Sequence, residues 1–180
     1  MIILFKTSLS QPEPPRTIFH PHANGIFDMK WSPSDSLLAT CSGDQSTCVS
    51  CPITSTTVNI LRGHTSTVKS VAWDPNHSDL LSTGGRDGAI CMWDLRVGKR
   101  KRDQSAENAG VTNPVLIIPA AHGGDGIGAR LKGRKGKSPP QAKSVTSLAY
   151  LGGEPYRLIS SGSSDGYVAK LANLLRFRHD

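Results

Sequence analysis

His64, Thr83 and Asp87 bring an imidazole, a hydroxyl and a carboxylate into one short stretch of this sequence. Those are the parts of a hydrolytic triad, so a nucleophile activated by a base is the first chemistry to consider. Other sets point to metal or phosphate chemistry. Cys48-x-x-Cys51 is half of a zinc site, but no second ligand pair follows at metal spacing. His20-x-His22 fares no better as a ligand pair. Gly133-Arg134-Lys135-Gly136-Lys137-Ser138 ends like a phosphate loop. The first glycine such a loop needs would fall at Leu131, and Pro139-Pro140 blocks the following helix, so nucleotide binding is excluded. Lys99-Arg100-Lys101-Arg102 is a cationic cluster. It fits a nuclear-import address or contact with nucleic-acid phosphates through counterion release.

The elements that must position these residues recur. Asp44 lies 43 residues before Asp87, and His22 lies 42 before His64. Between them Ile26-Phe27-Asp28-Met29-Lys30-Trp31 aligns with Val68-Lys69-Ser70-Val71-Ala72-Trp73, and Leu37-Leu38-Ala39-Thr40 aligns with Leu80-Leu81-Ser82-Thr83. A third copy starts at Val145-Thr146-Ser147-Leu148-Ala149-Tyr150 and continues through Leu158-Ile159-Ser160-Ser161 to Asp165-Gly166, with its histidine, His122, displaced upstream. Apolar alternation in the first run of each copy fits half-buried strands, and Gly/Asp/Ser clusters fit hairpin turns. Gly63-His64 through Trp93-Asp94 is the signature of one WD repeat, the unit of a four-stranded propeller blade. The fold class expected is therefore all-β, a WD40 β-propeller with about three blades of an incomplete ring, normally seven-bladed. The repeat also reassigns the chemistry. His64, Thr83, Asp87 and Trp93 become a buried relay in which Asp87 accepts from His64, whose other nitrogen accepts from Thr83, which accepts from the Trp93 indole. The hydrolase reading falls, because the repeat explains all three residues and predicts them buried. Ser50-Cys51 and Leu171-Ala172 stand where the first and third copies should read Trp-Asp, leaving those relays without the indole donor.

The units run 1–19 (an N-terminal segment, irregular or part of a preceding blade), 20–62 (a WD repeat), 63–119 (a WD repeat with intact Trp-Asp and a basic linker), 120–144 (a basic Gly/Lys/Pro-rich insertion) and 145–180 (a degenerate repeat and tail). Val115-Leu116-Ile117-Ile118 can supply the outer strand of the second blade. Three blades fall short of the ~4–8 that close a ring. The open edges imply a fragment, or a chain that completes its ring with another copy. No apolar run approaches ~18 residues, and Met1–Phe5 is too short for a signal h-region. Cys41, Cys48, Cys51 and Cys91 are expected to stay reduced. Charge is localised: residues 97–144 hold ten of the 21 Lys and Arg but only Asp103, Glu107 and Asp125 as acids, which accounts for the whole net charge of +7. That segment has no aromatic residue to stack a base, so nucleic-acid binding there should be non-specific and salt-sensitive. A solvated insertion with no specific partner is the plainer reading. No catalytic residue, cofactor or metal is expected.

Several details go beyond a generic WD repeat: His22-Ala23-Asn24-Gly25-Ile26-Phe27-Asp28-Met29, Ser42-Gly43-Asp44-Gln45, Thr83-Gly84-Gly85-Arg86-Asp87-Gly88, and the Pro/Lys-rich insertion between His122 and Val145. Over roughly residues 20–171 the chain resembles the denticleless family, propeller substrate receptors of cullin-4 RING ubiquitin ligases. The resemblance implies a non-catalytic receptor that docks on the ligase's adaptor propeller in the nucleus. It would present replication and cell-cycle proteins for ubiquitin-dependent degradation, while partner enzymes perform the transfer. Docking in that family uses Trp-Asp-x-Arg motifs, and Trp93-Asp94-Leu95-Arg96 matches completely, making Trp93, Asp94 and Arg96 the docking residues implied. The second motif expected near Leu171 is absent, since Leu171-Ala172-Asn173-Leu174 lacks Trp, Asp and Arg. The alternative is a generic WD-repeat interaction scaffold in chromatin or RNA metabolism whose basic loop contacts nucleic acid.

Overall fold

The computed structural model describes residues 1–4, 17–97, 110–122, 143–151, 157–162 and 168–172. The Lys99–Arg102 cluster, the 133–138 segment, Asp165 and residues 173–180 lie outside the described residues. Every regular element among the described residues is a strand. In chain order they are β1 (Ile2–Leu4), β2 (Thr17–Phe19), β3 (Ile26–Trp31), β4 (Leu38–Ser42), β5 (Ser46–Cys51), β6 (Thr56–Arg62), β7 (Val68–Trp73), β8 (Leu80–Gly85), β9 (Ile90–Asp94), β10 (Gly110–Thr112), β11 (Leu116–Ile118), β12 (Val145–Leu151), β13 (Arg157–Gly162) and β14 (Val168–Ala172). The runs rich in Val, Ile, Thr and Trp form the strands, and the Asp/Gly/Ser clusters turn them.

Four sheets result: β1-β2, β10-β6-β5-β4-β3, β11-β9-β8-β7 and β12-β13-β14. The second and third are two copies of one blade. Thr40 pairs with Cys48 and Leu38 with Ser50, as Thr83 pairs with Cys91 and Leu81 with Trp93, a constant offset of 43 residues. Even the turn conformation repeats. Gly88 has φ 77°, and Gln45, 43 residues earlier, has φ 68°. Glycine takes that left-handed geometry freely, whereas glutamine carries a cost of ~1 kcal/mol or more there.

The blades stand side by side, with inner strand β3 beside β7 and β7 beside β12. One core cluster joins Ala39, Cys41, Val49 and Leu61 of the first blade to Val68, Val71, Leu81 and Trp93 of the second. Another joins Ala72 and Ile90 to Val145, Leu148 and Leu158 of the third. Each fully buried Val or Leu contributes ~1.5–3 kcal/mol, and both clusters span a junction between blades. Gly84 permits the second junction, because a Cβ there would come within 2.5 Å of Val145 Cγ1. Among the described residues the sheets form an arc and not a closed ring. On the far flank of the first blade, β1 and β2 cover Leu38 and Ile26. Met29 and Trp31 stay exposed there, although their counterparts Val71 and Trp73 are buried.

Polar clasps tie the arc together. Asp28 Oδ2 accepts from the Val71 amide at 3.0 Å and from the Ser70 hydroxyl at 3.3 Å. Ser70 Oγ in turn accepts from the Leu148 amide at 2.9 Å, so three inner strands are linked in sequence. The Trp73 indole donates to the Lys30 carbonyl at 3.0 Å. Replacing Asp28 by alanine leaves the Val71 amide without its acceptor. The expected loss is ~1–3 kcal/mol, measurable as a lower urea midpoint; a midpoint unchanged from the parent protein would contradict the clasp.

One strand, β10, falls outside the sequence expectation, whereas β11 lies where the sequence puts it. Leu116–Ile118 pairs antiparallel with β9 as the second blade's outer strand. Before reaching it the chain crosses to the first blade, where Gly110–Thr112 pairs in parallel with Asn59–Leu61. A buried bond from Asn59 Nδ2 to Thr112 Oγ1, 3.1 Å, fixes that register.

Candidate protein-interaction site

The second blade's relay is assembled from strands β8 and β9, the connection between β6 and β7, and the β8–β9 turn. His64 Nδ1 lies 3.0 Å from Asp87 Oδ2, His64 Nε2 lies 2.8 Å from Thr83 Oγ1, and the Trp93 indole donates to the same Thr83 oxygen at 2.8 Å. Asp87 also accepts from the amides of Thr65 and Ala89, which closes its turn. The His64 side chain is 1% exposed. Imidazole and hydroxyl are thus spent on internal bonds and are closed to a substrate. The first blade repeats the relay as far as its residues allow, with His22 Nδ1 2.9 Å from Asp44 and Nε2 2.9 Å from Thr40 Oγ1. Ser50 replaces the indole there, and its hydroxyl lies 3.4 Å from that of Thr57 instead. In the third blade His122 Nε2 reaches Ser160 Oγ at 3.0 Å, and Leu171 stands opposite Leu158 where Trp93 stands opposite Leu81. The Cys48-x-x-Cys51 pair does not converge. An odd spacing on one strand sends the two side chains to opposite faces, and the Cys48 thiol, pushed up to about 11 by burial, donates to the Pro21 carbonyl.

Burial raises the Asp87 carboxyl. Hydrogen bonding and charge from His64, with the Ala89 and Thr65 amides, outweigh it and hold Asp87 below the ordinary 3.8. Asp44 is lowered against burial in the same way, through Ser46 and His22. A carboxylate depressed in the fold contributes stability that is present above its unfolded value and lost as pH falls through the folded one. The melting temperature should therefore hold between about pH 7 and 5 and fall below about pH 4. A melting temperature that rises on acidification to pH 3.5 contradicts this.

The outward-facing chemistry sits where β9 ends. The Asp94 carboxylate accepts from the Arg96 amide at 2.9 Å, from Nε at 3.0 Å and from Nη2 at 2.8 Å. The Leu95 amide is held by the Asp79 carbonyl of the neighbouring turn. Asp94's side chain is 5% exposed and Arg96's is 56%. The guanidinium is thus fixed at the blade's rim by a two-point fork, and among the described residues nothing binds Nη1. Hydrogen bonds from Arg96 lower the Asp94 carboxyl, and the same bonds raise Arg96. Such a pair is worth little to stability at a surface; its effect is to present a pre-oriented donor.

Comparisons with known proteins bear on the repeat fold and its family. The WD domain, G-beta repeat family matches residues 13–49 and 55–94. The denticleless protein homolog of Danio rerio is 34% identical over 148 residues, covering 82% of this chain and 22% of the relative. Protein lethal(2)denticleless of Drosophila melanogaster is 31% identical over 157 residues, covering 82% and 19%. The chain is a denticleless-like WD-repeat protein. It spans about a fifth of the length of these relatives. A chain in the crystal structure of an active polycomb repressive complex 2 in the basal state superposes with a TM-score of 0.62 at 18% identity, covering 87% of this chain and 29% of that one, which shows the propeller fold alone. The denticleless-like chain is thus a WD-repeat scaffold. Its relay residues His64, Thr83, Asp87 and Trp93 meet in one network, while Asp94 and Arg96 meet at the rim. The sequence reading missed the Asp28–Ser70–Leu148 clasp. Its one signal was the 42-residue spacing between Asp28 and Ser70, which matches the repeat.

Proposed function

We propose that this chain contributes a docking blade to a substrate receptor of a cullin-4 RING ubiquitin ligase. Arg96, oriented by Asp94, contacts the ligase's adaptor propeller, and the protein presents nuclear replication or cell-cycle proteins for ubiquitin-dependent degradation. The observation that carries this reading is the Asp94–Arg96 fork: a motif that denticleless proteins use for docking, folded with its cation held at an open rim. The similarity to denticleless proteins across 82% of the chain supports it. Chemistry belongs to the partner enzymes, and this chain supplies position.

The charge concentrated in residues 97–144 favours a second reading, a WD scaffold that contacts nucleic acid. Salt separates the two. Capture of the chain by immobilised adaptor at 150 mM salt, lost on Arg96→Ala, supports the receptor. Retention on nucleic acid that falls steeply with salt and depends on Lys99–Arg102, without adaptor capture, supports the scaffold.

A further inference from the structure

The repeat register places a second residue at the same station as Arg96, one blade earlier. Ser50 is equivalent to Trp93, because Ser50 pairs with Leu38 as Trp93 pairs with Leu81, both residues of each pair being offset by 43. Three residues further along, Ile53 therefore occupies the position of Arg96, and Cys51 that of Asp94. Both members of the polar pair are replaced together by uncharged residues. Ile53 is 89% exposed, the most exposed of the large hydrophobic side chains among the described residues.

We infer that Ile53 is the apolar half of a docking surface whose polar half is the Asp94–Arg96 fork, and that the partner presents an apolar recess one blade away from the group that binds the guanidinium. This rests on the docking reading proposed above. A single exposed isoleucine is unremarkable on a protein surface. What distinguishes this one is its station and its mounting. The turn from Cys51 to Thr56 is braced by Thr54 Oγ1 donating to the Cys51 carbonyl at 3.5 Å and by the Thr54 and Thr56 hydroxyls at 2.7 Å. Ser55 holds a left-handed φ of 57° behind it. The side chain is displayed on a formed turn, so little ordering is left to oppose binding. The two stations together carry one isoleucine and one self-neutralised ion pair. That is an interface centre poor in net charge with an arginine anchor, on a chain whose excess charge lies in residues 97–144.

The test is equilibrium binding of the purified cullin-4 ligase adaptor to the full chain and to Ile53→Asp, Ile53→Ala, Arg96→Ala and Val111→Asp. Val111 is an exposed hydrophobic residue of the outer strand β10, paired with Ile60 and belonging neither to the Cys51–Thr56 turn nor to the end of β9, and serves as the control. Far-ultraviolet circular dichroism checks each fold. The expected result is that Ile53→Asp weakens binding about tenfold or more, Ile53→Ala somewhat less, and Val111→Asp not at all. Loss on Arg96→Ala with both Ile53 variants binding like the parent overturns the inference and leaves the docking reading intact. Equal loss for Ile53→Asp and Val111→Asp also overturns it, as a general effect of added charge. If the unmodified chain does not bind, the docking reading falls and this inference falls with it.

Discussion

Replacing Trp93 by alanine should destabilise the fold by ~3–5 kcal/mol, and by phenylalanine by ~1–2 kcal/mol. Trp93 is fully buried in the cluster that joins the first two blades. Its ring fills the space beside Gly63, where Cη2 would lie 3.1 Å from an added Cβ. Alanine removes that volume from a junction that cannot collapse without moving a blade, whereas phenylalanine keeps most of the volume and loses the bond to Thr83. The difference between the two variants therefore isolates the packing of the ring from its N–H. Urea titration read by circular dichroism gives both numbers. A phenylalanine variant as stable as the parent would show that the indole bond contributes nothing. The first blade shows what the fold does without the donor: the Thr40 hydroxyl keeps its histidine and has the Cys48 carbonyl 3.4 Å away.

The second large effect concerns binding rather than stability. Arg96→Lys should weaken adaptor binding by about tenfold or more while leaving the melting curve close to that of the parent, and Asp94→Ala should weaken binding by as much with a modest loss of stability, since the Arg96 amide loses its acceptor. Lysine keeps the charge but cannot form the fork in which Nε and Nη2 meet both oxygens of Asp94. Alanine at position 94 keeps the guanidinium but releases it from its fixed direction, so the ordering cost moves to the binding step. Both predictions come from one geometric fact, the contrast between a buried carboxylate and an exposed cation two residues apart. If Arg96→Lys bound like the parent, charge alone would suffice and the fork would be incidental.

Much of this was written locally in the chain. The relay residues could be read because WD chemistry fixes their types at a fixed repeat offset, and β7, β8 and β9 follow from apolar runs bounded by Asp/Gly turns. The rim pair was legible for the same reason, since Asp94 and Arg96 are two residues apart and need no tertiary information to meet. What stayed hidden was non-local. The Asp28 carboxylate finds the Val71 amide 43 residues away only once two inner strands lie side by side. Residues 110–112 carry no pattern that favours the first blade's edge over the second's. Their pairing with β6 is settled by the Asn59–Thr112 bond and by Pro114 seating beside Gly63. Ile53 lay between these cases. Its equivalence to Arg96 is visible in the 43-residue offset, but its exposure required the folded turn.

Calorimetric titration of the cullin-4 ligase adaptor into the chain and into its Arg96→Ala variant measures whether Arg96 takes part in docking. Arg96 carries an exposed guanidinium, and if it docks as proposed its truncation should act as at an interface hot spot: saturable binding by the parent, a Kd weakened by about 30-fold or more in the variant, and an unchanged circular dichroism spectrum. Equal Kd values for the two proteins would contradict it, because the one side chain that the motif fixes at the open rim would then play no part in docking.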